Sequence, residues 1–218
     1  MVENRLTSLQ RDLLQAFFRH ETRFFLTGGA ALAGFHLGHR STNDLDLFAE
    51  TDVLEDGEAA LGVAASELGA TVERIRTAPA FRRRLIRRGN ESVLVDLVYD
   101  ACRAGYPETI TVGRVRVDPP EEVLANKLCA LLSRAEIRDL VDVMALEKAG
   151  FPMENALPRA CVKDAGLTPA QLAYVLSEIT IGDDASVPGG YSVQEIRHYL
   201  ADLQRRLARL AFPESPSS

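Results

Sequence analysis

Two aspartates, Asp44 and Asp46, stand one residue apart in the run DLDLF. On a strand, residues i and i+2 point to the same face. Both carboxylates then project together, while Leu45 and Leu47 turn the other way into a core. Parallel carboxylates repel unless a cation sits between them. Magnesium is the natural partner, because it prefers hard oxygen ligands and shares them with substrate phosphates; manganese suits the same donors. A third carboxylate would complete a site for two metal ions, and Asp96 in SVLVDLVYD offers one. Unpaired on that apolar strand it would be costly. Placed beside Asp44 and Asp46 it would not.

An acid-x-acid pair alone is a weak motif, but the residues before it add chemistry. Gly28-Gly29 follow the apolar run RFFLT and precede the small-residue segment AALAGFHL. A turn there, followed by a helix, exposes the backbone N–H groups of Gly28, Gly29 and Ala30, and such groups favour phosphate oxygens. A phosphate cradle joined to a carboxylate pair on the next strand is a device for holding a metal-bound nucleoside triphosphate. Downstream, FRRRLIRRG at 81–89 is strongly basic. Arg82 and Arg84 share one strand face and Arg83 takes the other. One set lines a cleft and holds phosphate or an RNA backbone, with Arg84 the candidate; the bland alternative is a charged edge strand. Arg40, with His39, is either a nucleotide contact or a structural loop residue.

The elements that must position these groups follow from periodicity. Leucines and phenylalanines from Leu6 to Phe18 recur at helical spacing, so 5–20 reads as an amphipathic helix. Strands are expected at 23–27, 44–48, 71–77, 81–87, 92–100 and 110–117, with helices after Gly29 and at 57–69. Glycines in RRGNES and TVGRV suit turns. At Pro119-Pro120 the period changes from two to 3.6, and Pro120 can open a helix. Helices are expected at 120–133, 135–149, 153–164, 169–178 and 192–210, with PGG at 188–190 a plain loop and PESPSS a frayed tail. The fold class is α/β (α+β): a mixed sheet with flanking helices over 1–118, then an all-helical region over 119–218.

Composition narrows the function classes. The chain has 218 residues and a formal charge of −6, so its surface as a whole does not attract nucleic acid. Cys102, Cys129 and Cys161 are odd in number and widely spaced, which argues against a zinc site or a disulfide framework. The four histidines show no metal-ligand spacing. No stretch is apolar enough to cross a bilayer, and the charged start MVENRLTSLQ has no signal-peptide core. A cytoplasmic protein without a membrane partner is expected.

The glycine turn, short helix and acid-x-acid strand together resemble the polymerase-beta-like nucleotidyltransferase superfamily. Within it, GGAALAGFHLGHRSTNDLDLF is similar to the AbiEii/AbiGii toxin family of abortive-infection systems, with GHR (38–40) and DLDLF (44–48) carrying much of the match. A second segment, PPEEVLANKLCALLSRAEIRDLVDVMAL at 119–146, supplies the family's lysine and Arg-Asp-x-x-Asp pattern as Lys127, Arg138, Asp139 and Asp142. The resemblance covers most of residues 20–150. It implies a metal-dependent nucleotidyltransferase using Mg2+, with two ions held by Asp44, Asp46 and Asp96. Lys127 would reach the β- and γ-phosphates from the same cleft as Gly28-Gly29, with Asp139 orienting it or the acceptor. It implies a toxin that adds a nucleotide to a tRNA 3′ end or a protein side chain, and a cognate antitoxin. The chain departs from the superfamily at Ala30, where many members carry a Ser or Thr hydroxyl that assists the phosphate; Thr27 and the backbone N–H groups are the available substitutes. From the residues alone, a small-molecule (resistance or housekeeping) nucleotidyltransferase and a catalytically silent nucleotide- or partner-binding relative remain alternatives.

Overall fold

Helix α1 (Ser8–His20) begins where Thr7 accepts from the Gln10 backbone and the Gln10 side chain accepts from the Thr7 N–H. This reciprocal cap starts the helix three residues later than periodicity alone suggests. The computed structural model describes residues 3–101 and 108–212, so Cys102 and the tail at 213–218 lie outside the described residues. The described chain forms two compact units, 1–123 and 124–218.

In the first unit, seven strands form one mixed sheet in the order β3-β4-β5-β2-β1-β7-β6. They are β1 (Phe24–Thr27), β2 (Asp44–Ala49), β3 (Thr71–Ala78), β4 (Phe81–Arg88), β5 (Glu91–Tyr99), β6 (Ile110–Val112) and β7 (Val115–Val117). Strand β2 runs antiparallel to β1 and parallel to β5. The expected strand over 110–117 is instead the hairpin β6–β7. Gly113, at φ +65°, takes the left-handed conformation that a tight turn needs and that glycine adopts without strain.

One face of this sheet is fully buried. Leu45, Leu47, Ile86, Val93, Val95 and Leu97 alternate onto it, under α1 and α3 (Leu54–Glu67). Phe17 of α1 meets Phe24 of β1 edge to face, ring centroids 5.6 Å apart. A Cβ on Gly57 of α3 would lie 2.6 Å from the Phe24 ring, so the glycine lets that helix approach the sheet. The opposite face carries the half-buried alternation of Asp44, Asp46 and Phe48.

Between β1 and β2 the chain makes the short helix α2 (Gly28–Ala31), which continues into a π-helical turn over Leu32–His36. Extra-wide turns of this kind often mark functional segments.

Helix α4 (Pro120–Ser133) opens with Pro120 in its first turn. The second unit comprises the rest of α4 with α5 (Ile137–Lys148), α6 (Met153–Lys163), α7 (Pro169–Ser177) and α8 (Val193–Ala211). PGG forms one 3-10 turn. Ser192 and Glu195 cap α8 reciprocally, and its Ile196, Leu200, Leu203 and Leu207 form a buried stripe at helical spacing. Arg206 of α8 ties α5 to α6 by bonding Glu147 and Glu154, each at 2.6 Å. Among the described residues, no helix is long and apolar enough to cross a membrane.

Candidate active site

Register brings the sequence candidates of the sheet unit into one row. Thr27 pairs with Asp46, Asp46 with Asp96, Asp96 with Arg83, and Arg83 with Arg76. Directly opposed residues on neighbouring strands point to the same face. A line of side chains therefore crosses five strands in the order Thr27, Asp46, Asp96, Arg83, Arg76, at about 4.8 Å per strand. Asp44 lies two residues from Asp46 on the same face of β2.

Gly28 closes one end of the row. Its φ is +65°, and a Cβ there would lie 2.2 Å from Asp46 Oδ2. Only glycine allows the carboxylate to rest against the turn. Arg40 is largely buried beside the same turn. Its Nη2 lies 3.1 Å from where a Gly29 Cβ would be, and Nη1 donates to the Ser41 carbonyl at 3.0 Å. Ala30 is fully buried, so its side chain is core and only its backbone can serve a ligand.

The arginines of β4 differ from expectation. Arg84 sits on the helix-covered face, 1% exposed, donating to Glu58 Oε1 from Nε and Nη2 at 3.0 and 2.7 Å and to the carbonyls of Arg76 and Arg83. It braces α3 against the sheet and is turned away from Asp46. Arg83 is the arginine that reaches the carboxylates. Its Nε and Nη2 donate to Asp96 Oδ1 and Oδ2 at 2.8 and 2.6 Å, and its guanidinium lies 5.5 Å from the Phe81 ring centroid. Hydrogen bonding to Asp96 raises its proton affinity against the opposing effect of partial burial, and the charges of Asp44 and Asp46 add to the rise. It thus feels all three carboxylates. The sequence held a signal for this: Arg83 and Asp96 share one face once β4 and β5 are aligned.

Among the described residues, no three His, Cys, Asp or Glu side chains converge tightly enough to enclose a metal ion as they stand. The arginine pairing with Asp96 gives a physical reason. The donors nevertheless suit a hard divalent cation: they are carboxylate oxygens on one face of adjacent strands.

In the helical unit, Lys127 is buried and its Nζ meets Asp139 Oδ1 at 2.8 Å and Asp142 Oδ2 at 2.7 Å. No acid on its own helix supplies these partners; both come from α5. Arg134 donates to both Asp139 oxygens, at 2.7 and 2.9 Å. Burial alone would raise the Asp139 carboxyl, but the Arg134 hydrogen bonds and the Lys127 charge hold it below the ordinary aspartate value. Arg138 faces Glu136 at 2.5 Å instead.

The profile of the family described as "Nucleotidyl transferase AbiEii toxin, Type IV TA system" matches residues 11–177. Among solved structures the chain is similar to MenT4, a nucleotidyltransferase toxin from Mycobacterium tuberculosis H37Rv, at 18% identity and a TM-score of 0.62, over 94% of this chain and 82% of that one. It is also similar to JHP933 from Helicobacter pylori, at 19% identity and a TM-score of 0.57, over 92% and 89% of the two chains. These likenesses establish a shared fold. No curated protein matches.

Proposed function

From the premise that the chain belongs to the AbiEii family of nucleotidyltransferase toxins, we propose that it moves a nucleoside monophosphate from a magnesium-bound triphosphate onto an RNA 3′ end, with pyrophosphate leaving. The observation that supports this reading is the row Thr27, Asp46, Asp96 beside the Gly28 turn. Asp44, Asp46 and Asp96 are the residues that would hold the divalent ions. Bound there, such ions supply Lewis acidity at the α-phosphorus and a more acidic acceptor hydroxyl. The chain's own groups do the rest. Backbone N–H groups from Gly28 to Ala30 orient phosphate oxygens, and the Thr27 hydroxyl stands in the place left by Ala30. Lys127, held by Asp139 and Asp142, corresponds to the lysine of the family pattern. A cognate antitoxin regulates the toxin. A protein side chain is the second acceptor class.

The test is incubation with each labelled nucleoside triphosphate, magnesium and either total RNA or lysate protein, for wild type and Asp46→Ala. Label is expected in RNA with wild type only. Label in protein alone replaces the acceptor; equal labelling by Asp46→Ala removes that residue from the site.

A further inference from the structure

We propose that Arg83 is a built-in counter-cation that occupies Asp96 before metal-nucleotide binds and must leave it for the metal site to assemble. The proposal rests on the metal-dependent reading above. The geometry carries it. Arg83 engages both oxygens of Asp96, and Asp96 lies directly beside Asp46 in the sheet. A carboxylate that accepts from one guanidinium at both oxygens keeps fewer lone pairs and less unbalanced charge for a metal ion, and it holds a cation where the ion would sit. Arginine and metal therefore compete for one ligand.

The same geometry gives Arg83 somewhere to go. Its side chain is 40% exposed, so release needs no opening of the core. Phe81 lies beside its guanidinium, and Arg76 lies beyond it on β3. A guanidinium released from Asp96 can stay on the Phe81 face. There it becomes available to a phosphate, which it binds in the same forked geometry as a carboxylate. The cation that blocks Asp96 in the free protein thus becomes a contact for the arriving anion. Metal alone has to displace the arginine; metal with triphosphate gives the arginine a new partner.

The arrangement predicts an unusual order of affinities, measurable without turnover. Manganese alone, followed by electron paramagnetic resonance, should bind Arg83→Gln about tenfold more tightly than wild type, the correction expected if Asp96 is free about a tenth of the time. Arg83→Lys, which keeps the charge but loses the fork, should fall between them. The tightening should vanish in Arg83→Gln/Asp96→Asn. In the absence of metal, Arg83→Gln should melt lower than wild type, because Asp96 loses its bidentate partner, and manganese should restore it. Equal or weaker manganese binding by Arg83→Gln, when wild type binds the ion, overturns the Arg83 proposal and leaves the metal-dependent reading intact. No manganese binding by any variant, with or without ATP, overturns both. If Arg83→Gln does not fold, the lysine variant decides: affinity no tighter than wild type overturns the proposal.

Discussion

Lys127 has a structural role in the helical unit, and a role toward the triphosphate can be separated from it by measurement. Its ammonium is buried between Asp139 and Asp142. Removing one partner of a buried ionic cluster leaves uncompensated charge and costs about 3–5 kcal/mol. Lys127→Ala should therefore lower Tm by about 6–20 °C at this chain length. The sign of the pH dependence follows from Asp139. Its folded carboxyl lies below the ordinary value of 3.8, so its stabilising contribution is present above that pH and is lost as pH falls through the lower folded value. The wild-type advantage over Lys127→Ala should be largest above pH 4 or so and narrow in stronger acid. Differential scanning calorimetry across pH would check this. A variant that melts like wild type at every pH would mean the buried cluster contributes nothing. If Lys127 also serves the triphosphate, a folded Lys127→Arg should show weaker nucleotide binding at near-normal stability, since guanidinium keeps the charge but changes the reach.

At the scale of elements, the strands that carry the candidate carboxylates were legible from period two. DLDLF alternates acid and apolar, and SVLVDLVYD sets one acid within an apolar strand, so parity places Asp44 and Asp46 on one face and marks Asp96 as the residue needing a partner. The β4 segment FRRRLIRR carries arginine on both faces. Parity separates Arg83 from its neighbours but not which side is covered. The answer comes from the pairing of Arg83 with Asp96 and from Glu58 on α3, and long-range register is not written in local pattern. The split of 110–117 into β6 and β7 rests on one residue: eight residues of β-type composition fit one strand or a tight hairpin, and Gly113, which suits a turn, marks the hairpin. Lys127 carried the opposite trap. Its own helix offered no acid three or four residues away, so it read as solvated or ligand-directed, whereas its partners lie on the next helix. The glycine turn was read for its backbone, and the structure adds a steric reason. Gly28→Ala would force a left-handed conformation costing roughly 1–2 kcal/mol and drive a Cβ into Asp46 Oδ2, 2.2 Å away. The carboxylate must then move, and a displacement of about 1 Å in a reacting assembly can cost about a hundredfold in rate. Gly28→Ala should thus lose about a hundredfold in kcat while its Tm falls only by a few degrees, about 2–4 °C per kcal/mol. Unchanged turnover would place the reacting phosphate away from this turn.

Across the whole molecule, an acidic protein must attract an anionic substrate locally rather than globally. The formal charge is −6, so long-range steering opposes a nucleic-acid acceptor. Arginines gather instead on one strand face of the sheet unit. Arg76, Arg83 and Arg87 all lie on the face that carries the three aspartates, Arg87 opposite Thr71 and Arg76 opposite Arg83. Two or three phosphate contacts are the most such a patch offers. For single strands the logarithm of affinity falls with the logarithm of salt at about 0.7 per neutralised phosphate, giving a slope of about −1.4 to −2.1. A fourfold rise in salt should then weaken binding of an RNA acceptor by about 7- to 20-fold, well short of the loss shown by proteins built around an extended basic surface. Arg76→Ala should reduce the slope by about 0.7 and weaken different RNA sequences equally, because a phosphate contact carries no sequence information. Fluorescence anisotropy with a labelled RNA over a salt series measures both quantities. A slope near zero would mean that the arginine face does not meet a nucleic-acid backbone, and would turn the search for the acceptor to proteins.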